Sequence, residues 1–189
     1  MEILNTNEMN ITGDLSFDEF LEQKDKEYAT LTDDFYDYLT KNKIVNKTIR
    51  EDYCWLCHSF LMMAVEHYKL TLEHLHENAI SEILFVTFLR KISAPQKTRE
   101  KLLDALLHFA DFLLTINLLN IDIFNFIKSL EEDKKLFEQQ VRSNEGGEFL
   151  WETDPNWVAN YIKWATSKNL LTFSYRINNE TPEDYVGIL

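Results

Sequence analysis

The sequence predicts a mostly α protein, an orthogonal or up-down bundle of about five or six helices around a central apolar helix, with a small aromatic C-terminal tail. Three observations lead there. The 189 residues include only 4 Gly and 3 Pro, too little punctuation for many short strands joined by tight turns. The stretch Lys101 to Asn120, KLLDALLHFADFLLTINLLN, spaces its polar residues Lys101, Asp104, His108, Asp111 and Thr115 as one narrow helical stripe and is apolar elsewhere. A helix of that kind has to be surrounded by other elements. Signals for helix starts also recur along the whole chain.

The elements follow in order. Residues 1–15 are polar without a strong period and read as a flexible N-terminal arm; the bundle domain is 16–142. Ser16-Phe17-Asp18-Glu19 is a capping box that opens a short helix over roughly 17–28. Thr32 with Asp33 and Asp34 reads as a second cap, since acids in a first turn complement the helix dipole. The helix it opens carries Phe35, Tyr38 and Leu39 and stops near Asn42. Thr48-Ile49-Arg50-Glu51 is another capping box. Its helix extends to Tyr68, with Ile49, Tyr53, Leu56, Phe60 and Ala64 on one face, thickened by Cys54, Cys57, Leu61 and Val65. LTLEHLHENA is a connector, and Asn78 caps a helix bearing Ile80, Ile83, Leu84, Val86, Phe88 and Leu89. Ser93-Ala94-Pro95 breaks it, because proline disfavours αR in the residue before it and suits a new first turn.

The central helix starts at about 96, just after that proline. Asn120 and Asp122 cap a further helix over roughly 121–142, with Phe124, Ile127, Leu130, Phe137 and Val141 inward and EEDKK exposed. Residues 143–148, SNEGGE, are the clearest linker. The tail, 149–189, holds a helix started at Asp154-Pro155, bearing Trp157, Tyr161 and Trp164, and an extended LLTFSYRI segment, and docks on the bundle.

The formal net charge is −13, from 32 acidic and 19 basic residues. That repels phosphate backbones on average and argues against a mainly nucleic-acid-binding surface. MEILNTNEMN carries Glu2 and Glu8 and lacks a cationic start with an apolar run, so no signal peptide is expected. Asp104, His108 and Asp111 would lie inside the hydrocarbon if the central rod crossed a membrane, a costly placement. The expectation is a cytoplasmic protein without a membrane span, whose two cysteines are reduced.

Cys54-Trp55-Leu56-Cys57-His58 spells the C-x-x-C-H of haem attachment. Both cysteines fall on the apolar rhythm of a helix and no second pair completes a zinc site, so they read as core packing, with haem or metal binding the alternative. His74 and His76 lie in a connector and read as part of a solvated loop, the alternative being a divalent-metal group completed by His67. His108 lies a helical turn from Asp104 and from Asp111, the spacing of a surface pair. Glu8 to Glu19 overlays a calcium loop in part, through Gly13, Leu15 and Glu19, but the capping box accounts for Glu19. No phosphate loop, G-x-S-x-G or H-E-x-x-H occurs. No catalytic residue, metal ligand or cofactor is therefore assigned. Trp151, Trp157, Tyr161 and Trp164 form the densest aromatic cluster; they pin the tail to the bundle or offer a partner-binding surface.

Residues 31–120 also resemble the SAM-like core-binding domain of tyrosine recombinases and phage integrases. The likeness rests on Phe35-Tyr36-Asp37-Tyr38-Leu39, on Asn46 to Arg50 with Tyr53 and Phe60, on Leu70-Thr71 before a helix ending in Phe88-Leu89, and on Lys97-Thr98-Arg99 opening a helix with Leu106, Phe109 and Phe112. It implies a helical bundle of phage or mobile-element origin that meets a DNA duplex through Lys47, Thr48, Arg50, Lys97, Thr98 and Arg99. The family's catalytic Arg, His and Tyr set has no counterpart here, so the resemblance implies no recombinase activity. The function read from the sequence is a non-enzymatic, acidic interaction or regulatory protein whose partner is a protein, basic or itself nucleic-acid-binding. The alternatives are a DNA-binding accessory module and a metal- or haem-binding protein.

Overall fold

In the computed structural model, which describes residues 16–143 and 163–168, the chain is built from helices and no strand occurs among the described residues. Helix α1 spans Phe17–Lys41. It opens on the capping box: Glu19 N donates to Ser16 Oγ at 3.3 Å and Ser16 N donates back to the Glu19 carboxylate at 2.8 Å. The Ser16 backbone N–H, and after it the Ser16 hydroxyl, donate to the Glu19 carboxylate and hold its pKa below the ordinary value. The helix does not stop near 28 as expected. Thr32 is no cap; it is buried inside α1 and its hydroxyl donates to the carbonyls of Tyr28 at 2.9 Å and Ala29 at 3.0 Å. A threonine bonded back in this way rides within a helix. Tyr28, Thr32, Phe35 and Leu39 thus form one unbroken buried stripe.

Helix α2 spans Lys47–Tyr68. Its cap is Asn46, whose Oδ1 accepts from Ile49 N at 3.1 Å, so Thr48 is already helical. The helix ends at Lys69 in the left-handed region, φ 57. Lys69 N donates to Val65 O at 3.1 Å, the bond of an αL ending, and Leu70 N reaches one residue further back to Ala64 O at 3.0 Å. The side chain returns the non-glycine cost in part by laying its ammonium 3.3 Å from the Phe17 ring centroid.

The connector contains a 3₁₀ turn, Leu72–His74. It is tied to α1 by Leu72 N, which donates to the buried Tyr28 hydroxyl at 3.1 Å. Helix α3, Glu77–Glu82, a π turn, Ile83–Thr87, and α4, Phe88–Lys91, follow as one rod whose π residues are all buried. The cap here is His76, not Asn78: His76 Nδ1 accepts from Ala79 N at 3.3 Å.

Only an unprotonated Nδ1 accepts that bond, and burial holds the His76 pKa below its ordinary value, Glu77 opposing weakly. His67 is lowered as well, by burial first and then by Lys91, with Lys69 and Arg90 adding to it and Glu66 opposing. A lowered folded-state pKa means stability that is full above the unfolded value of about 6.5 and is lost as pH falls below it. The midpoint of urea unfolding is therefore expected to drop between about pH 7.5 and 5.5, and His76→Asn, a non-titrating cap, to flatten part of that drop. Identical pH profiles for the two proteins would remove the role given to the cap.

Beyond Pro95, α5 covers only Gln96–Arg99, and the central helix α6 covers Leu102–Thr115. The rod is shorter than the stretch that foretold it. It is broken from α5 near Glu100 and ended at Asn117, φ 58, where Leu118 N donates to Leu113 O at 2.9 Å. Leu102, Leu103, Ala105, Leu106, Leu107, Phe109, Ala110, Phe112 and Leu113 are all buried. Its polar stripe reaches outward to three neighbours. Lys101 pairs with Asp52 of α2. Asp104 pairs with Lys134 at 2.7 Å, and Asp111 with Lys128 at 3.4 Å. Phe35 of α1 packs on Phe109 and Phe112, with ring centroids 5.0 and 5.6 Å away.

One helix over 121–142 was expected; the structure divides it into α7, Ile121–Ser129, a 3₁₀ step, Leu130–Asp133, and α8, Lys134–Ser143. Asn120 caps α7 through Asp122 N at 2.7 Å. The EEDKK stretch is not wholly exposed, because Asp133 is tucked in and paired with Lys168 at 2.9 Å. Residues 163–167 are helical and rest on the bundle: Trp164 is buried with its ring 4.5 Å from that of Phe85, which meets Phe137 at 5.8 Å. The arm 1–15, the linker beyond Ser143 and the rest of the tail lie outside the described residues. Among those described, no helix is long and apolar enough to cross a membrane.

Candidate functional site

Helices α1 and α2 run antiparallel, and two contacts mark their register. His58 Nε2 lies 3.2 Å from Asp25 Oδ1. Arg50 lies over Tyr36, 5.5 Å from the ring centroid, and donates to Val45 O at 3.0 Å. On α1, Asp25, Ala29, Asp33 and Asp37 recur every four residues and are all exposed. They therefore share one stripe beside α2. Asp33 and Asp37 form no ion pair among the described residues.

On α2 the outward stripe is Glu51, Trp55, Met62 and Glu66. Trp55 is 43% exposed, the one exposed tryptophan among the described residues. A tryptophan left in water on a helix that buries Tyr53, Leu56 and Phe60 has not been recruited to the core. Carboxylates lie on either side of it: Asp25 and Asp33 across the helix pair, and Glu51, held only loosely by Lys47 at 3.8 Å, one turn before it. The face combines an aromatic anchor with surplus negative charge. Sequence reasoning passed over Trp55 while following its neighbours Cys54 and Cys57. The signal was present: position 55 falls off the apolar stripe Ile49, Tyr53, Leu56, Phe60, Ala64 and on the stripe of Glu51 and Glu66.

The cysteines sit in the core as packing predicts. Cys57 is fully buried and burial raises its thiol pKa well above the ordinary value; burial and then Asp33 push Cys54 up to about 12. Thiols kept protonated are poor metal ligands. His74 and His76 spend their Nδ1 atoms on Thr71 Oγ1, at 2.8 Å, and on the α3 cap. No group of His, Cys, Asp or Glu suited to a metal forms among the described residues. His108 stacks on Tyr53, 5.8 Å between centroids, while Asp104 and Asp111 serve lysines of other helices. Glu19, the last position of the calcium-like overlay, is occupied by its capping bonds.

Of the six residues expected to meet DNA, Lys47, Thr48 and Lys97 are exposed and Thr98 is half-buried. Arg50 is folded into the α1–α2 turn and Arg99 is buried. Of the aromatic cluster, Trp164 is in the core, where it holds the 163–168 helix; Trp151, Trp157 and Tyr161 lie outside the described residues. Comparison with known proteins returns no match to this chain, whether among family models, curated proteins or solved structures.

Proposed function

We propose that this is a non-enzymatic interaction protein that binds a basic segment of a partner protein across the α1–α2 face, with Trp55 as the anchor. The observation that supports it is the exposed Trp55 on a helix packed beside the acidic stripe of α1, whose Asp33 and Asp37 form no ion pair among the described residues. Buried aromatic anchors carry a disproportionate share of interface energy, and surrounding charge steers and selects the partner. A chain of net charge −13 attracts Lys- and Arg-rich segments and repels polyanions. Its acidic surface would equally suit a partner whose own ligand is a nucleic acid.

The test is calorimetric titration with an array of synthetic Lys/Arg-rich peptides at low salt. At least one is expected to bind, with affinity falling as salt rises. Trp55→Ala is expected to weaken it about tenfold or more, with a melting curve close to that of the parent, since Trp55 is largely outside the core. Asp33→Asn with Asp37→Asn should reduce the salt dependence. Failure of every peptide to bind, or binding indifferent to Trp55, overturns the reading.

A further inference from the structure

Arg99, at the end of α5, is only 8% exposed. Its guanidinium makes no hydrogen bond, ion pair or ring contact among the described residues, and its Nε is sealed from solvent without a partner. The other described arginines differ. Arg50 and Arg90 share the sealed Nε, but Arg50 Nη1 donates to Val45 O and its guanidinium lies over Tyr36, Arg90 is engaged elsewhere, and Arg142 donates to Glu100 at 2.8 Å and Glu138 at 3.3 Å. The carboxylate adjacent in sequence does not serve Arg99: Glu100 Oε1 accepts from Arg142 Nε at 2.8 Å and from Gln96 Nε2 at 2.7 Å. Lys101 is likewise taken by Asp52.

Helix α8, which packs against α5, carries a second such group. Gln140 is 1% exposed, and neither its Oε1 nor its Nε2 has a partner. A buried guanidinium without an acceptor is strongly unfavourable, and a buried carboxamide with no bond adds to that cost. Yet Nη1 and Nη2 of Arg99, which also lack partners, are not sealed as Nε is. The stem is fixed by burial while the outer edge of the fork reaches the surface. A planar fork held in this way is pre-ordered for the paired oxygens of a phosphate or carboxylate.

We propose that the seam between α5 and α8 binds a small molecule through one oxyanion group, a phosphate or a carboxylate, taken end-on by Nη1 and Nη2 of Arg99. A single fork next in sequence to Glu100, on a chain of net charge −13, suits one such group and not a polyanion. The site shares no residue with the α1–α2 face, so either proposal can fail without the other.

The experiment measures thermal shift and calorimetric binding of the full chain with inorganic phosphate and with succinate, against chloride at equal ionic strength. The proteins are wild type, Arg99→Met and Arg99→Lys. Phosphate or succinate is expected to raise the wild-type Tm, and which one does so separates the two sources of the oxyanion. Arg99→Met keeps the buried stem and removes the unpartnered charge. It is expected to melt no lower than wild type in chloride and to bind the anion about 10- to 100-fold more weakly. Arg99→Lys, without the fork, is expected to fall between them. The proposal is overturned if neither anion binds wild type, if Arg99→Met binds as tightly as wild type, or if Arg99→Met is destabilised in chloride. Duplex DNA bound more tightly than either anion through Arg99 would overturn the small-ligand assignment.

Discussion

Leu106→Asp is expected to abolish cooperative folding. Leu106 is 3% exposed in the middle of α6, on the helix that α1, α2, α7 and the 3₁₀ step at Leu130 all pack against. The change removes a buried leucine, about 1.5–3 kcal/mol of burial, and puts a carboxylate inside the hydrophobic core. An isolated buried charge costs more than the whole margin of a typical domain, about 5–15 kcal/mol, unless it takes up a proton. The ions nearest in sequence do not help, since Asp104 and Asp111 already hold Lys134 and Lys128 on the polar stripe. Ile121→Asp is the matched control. Ile121 is 54% exposed at the start of α7, and its replacement should change stability by no more than about 0.5 kcal/mol. Circular dichroism during heating distinguishes the two. A wild-type transition for Leu106→Asp would mean that α6 is not the core.

Trp164→Ala is expected to cost about 3–5 kcal/mol, the range for removing a buried large aromatic side chain. For a chain of this length that is a fall in Tm of roughly 10 °C. The Trp164 ring lies 4.5 Å from Phe85, inside the π turn, and Phe85 in turn packs edge-on against Phe137 of α8. Two further ties hold the same short helix: Lys168 pairs with Asp133 at 2.9 Å and lies 3.4 Å from Ser129 O. The loss should appear as a single transition moved to lower temperature, because residues 163–168 complete a core that begins in the π turn and α8. A wild-type melting curve would mean that this helix lies outside the cooperative unit. An added early transition would mean that it unfolds by itself.

Much of this architecture was legible in local patterns. A capping box is satisfied within four residues, so Ser16 with Glu19 and Asn120 with Asp122 N could be placed without knowledge of any neighbour. The break at Pro95 and the apolar rod of α6 follow from backbone chemistry and a three-to-four residue rhythm. Where several capping residues compete, the pattern misleads. Thr32 and Thr48 resemble caps in sequence, but Thr32 is drawn into the buried stripe of α1 and Asn46 reaches Ile49 N first. His76 caps α3 although Asn78 is the better intrinsic cap, because the 3₁₀ turn before it, tied to Tyr28, sets where the helix can begin.

The sequence by itself determined the mostly α class, the identity of the central helix and much of the apolar side of its neighbours, because those depend on bonds and side chains within one or two turns. The tertiary structure decided which polar groups find partners. It paired the α6 stripe with three other helices, took Trp164 into the core, left Trp55 in water and buried Arg99 with its fork bare. The physical reason is range: a helix is closed by contacts four residues apart, whereas the solvation and pairing of a charge or an indole depend on segments tens of residues away.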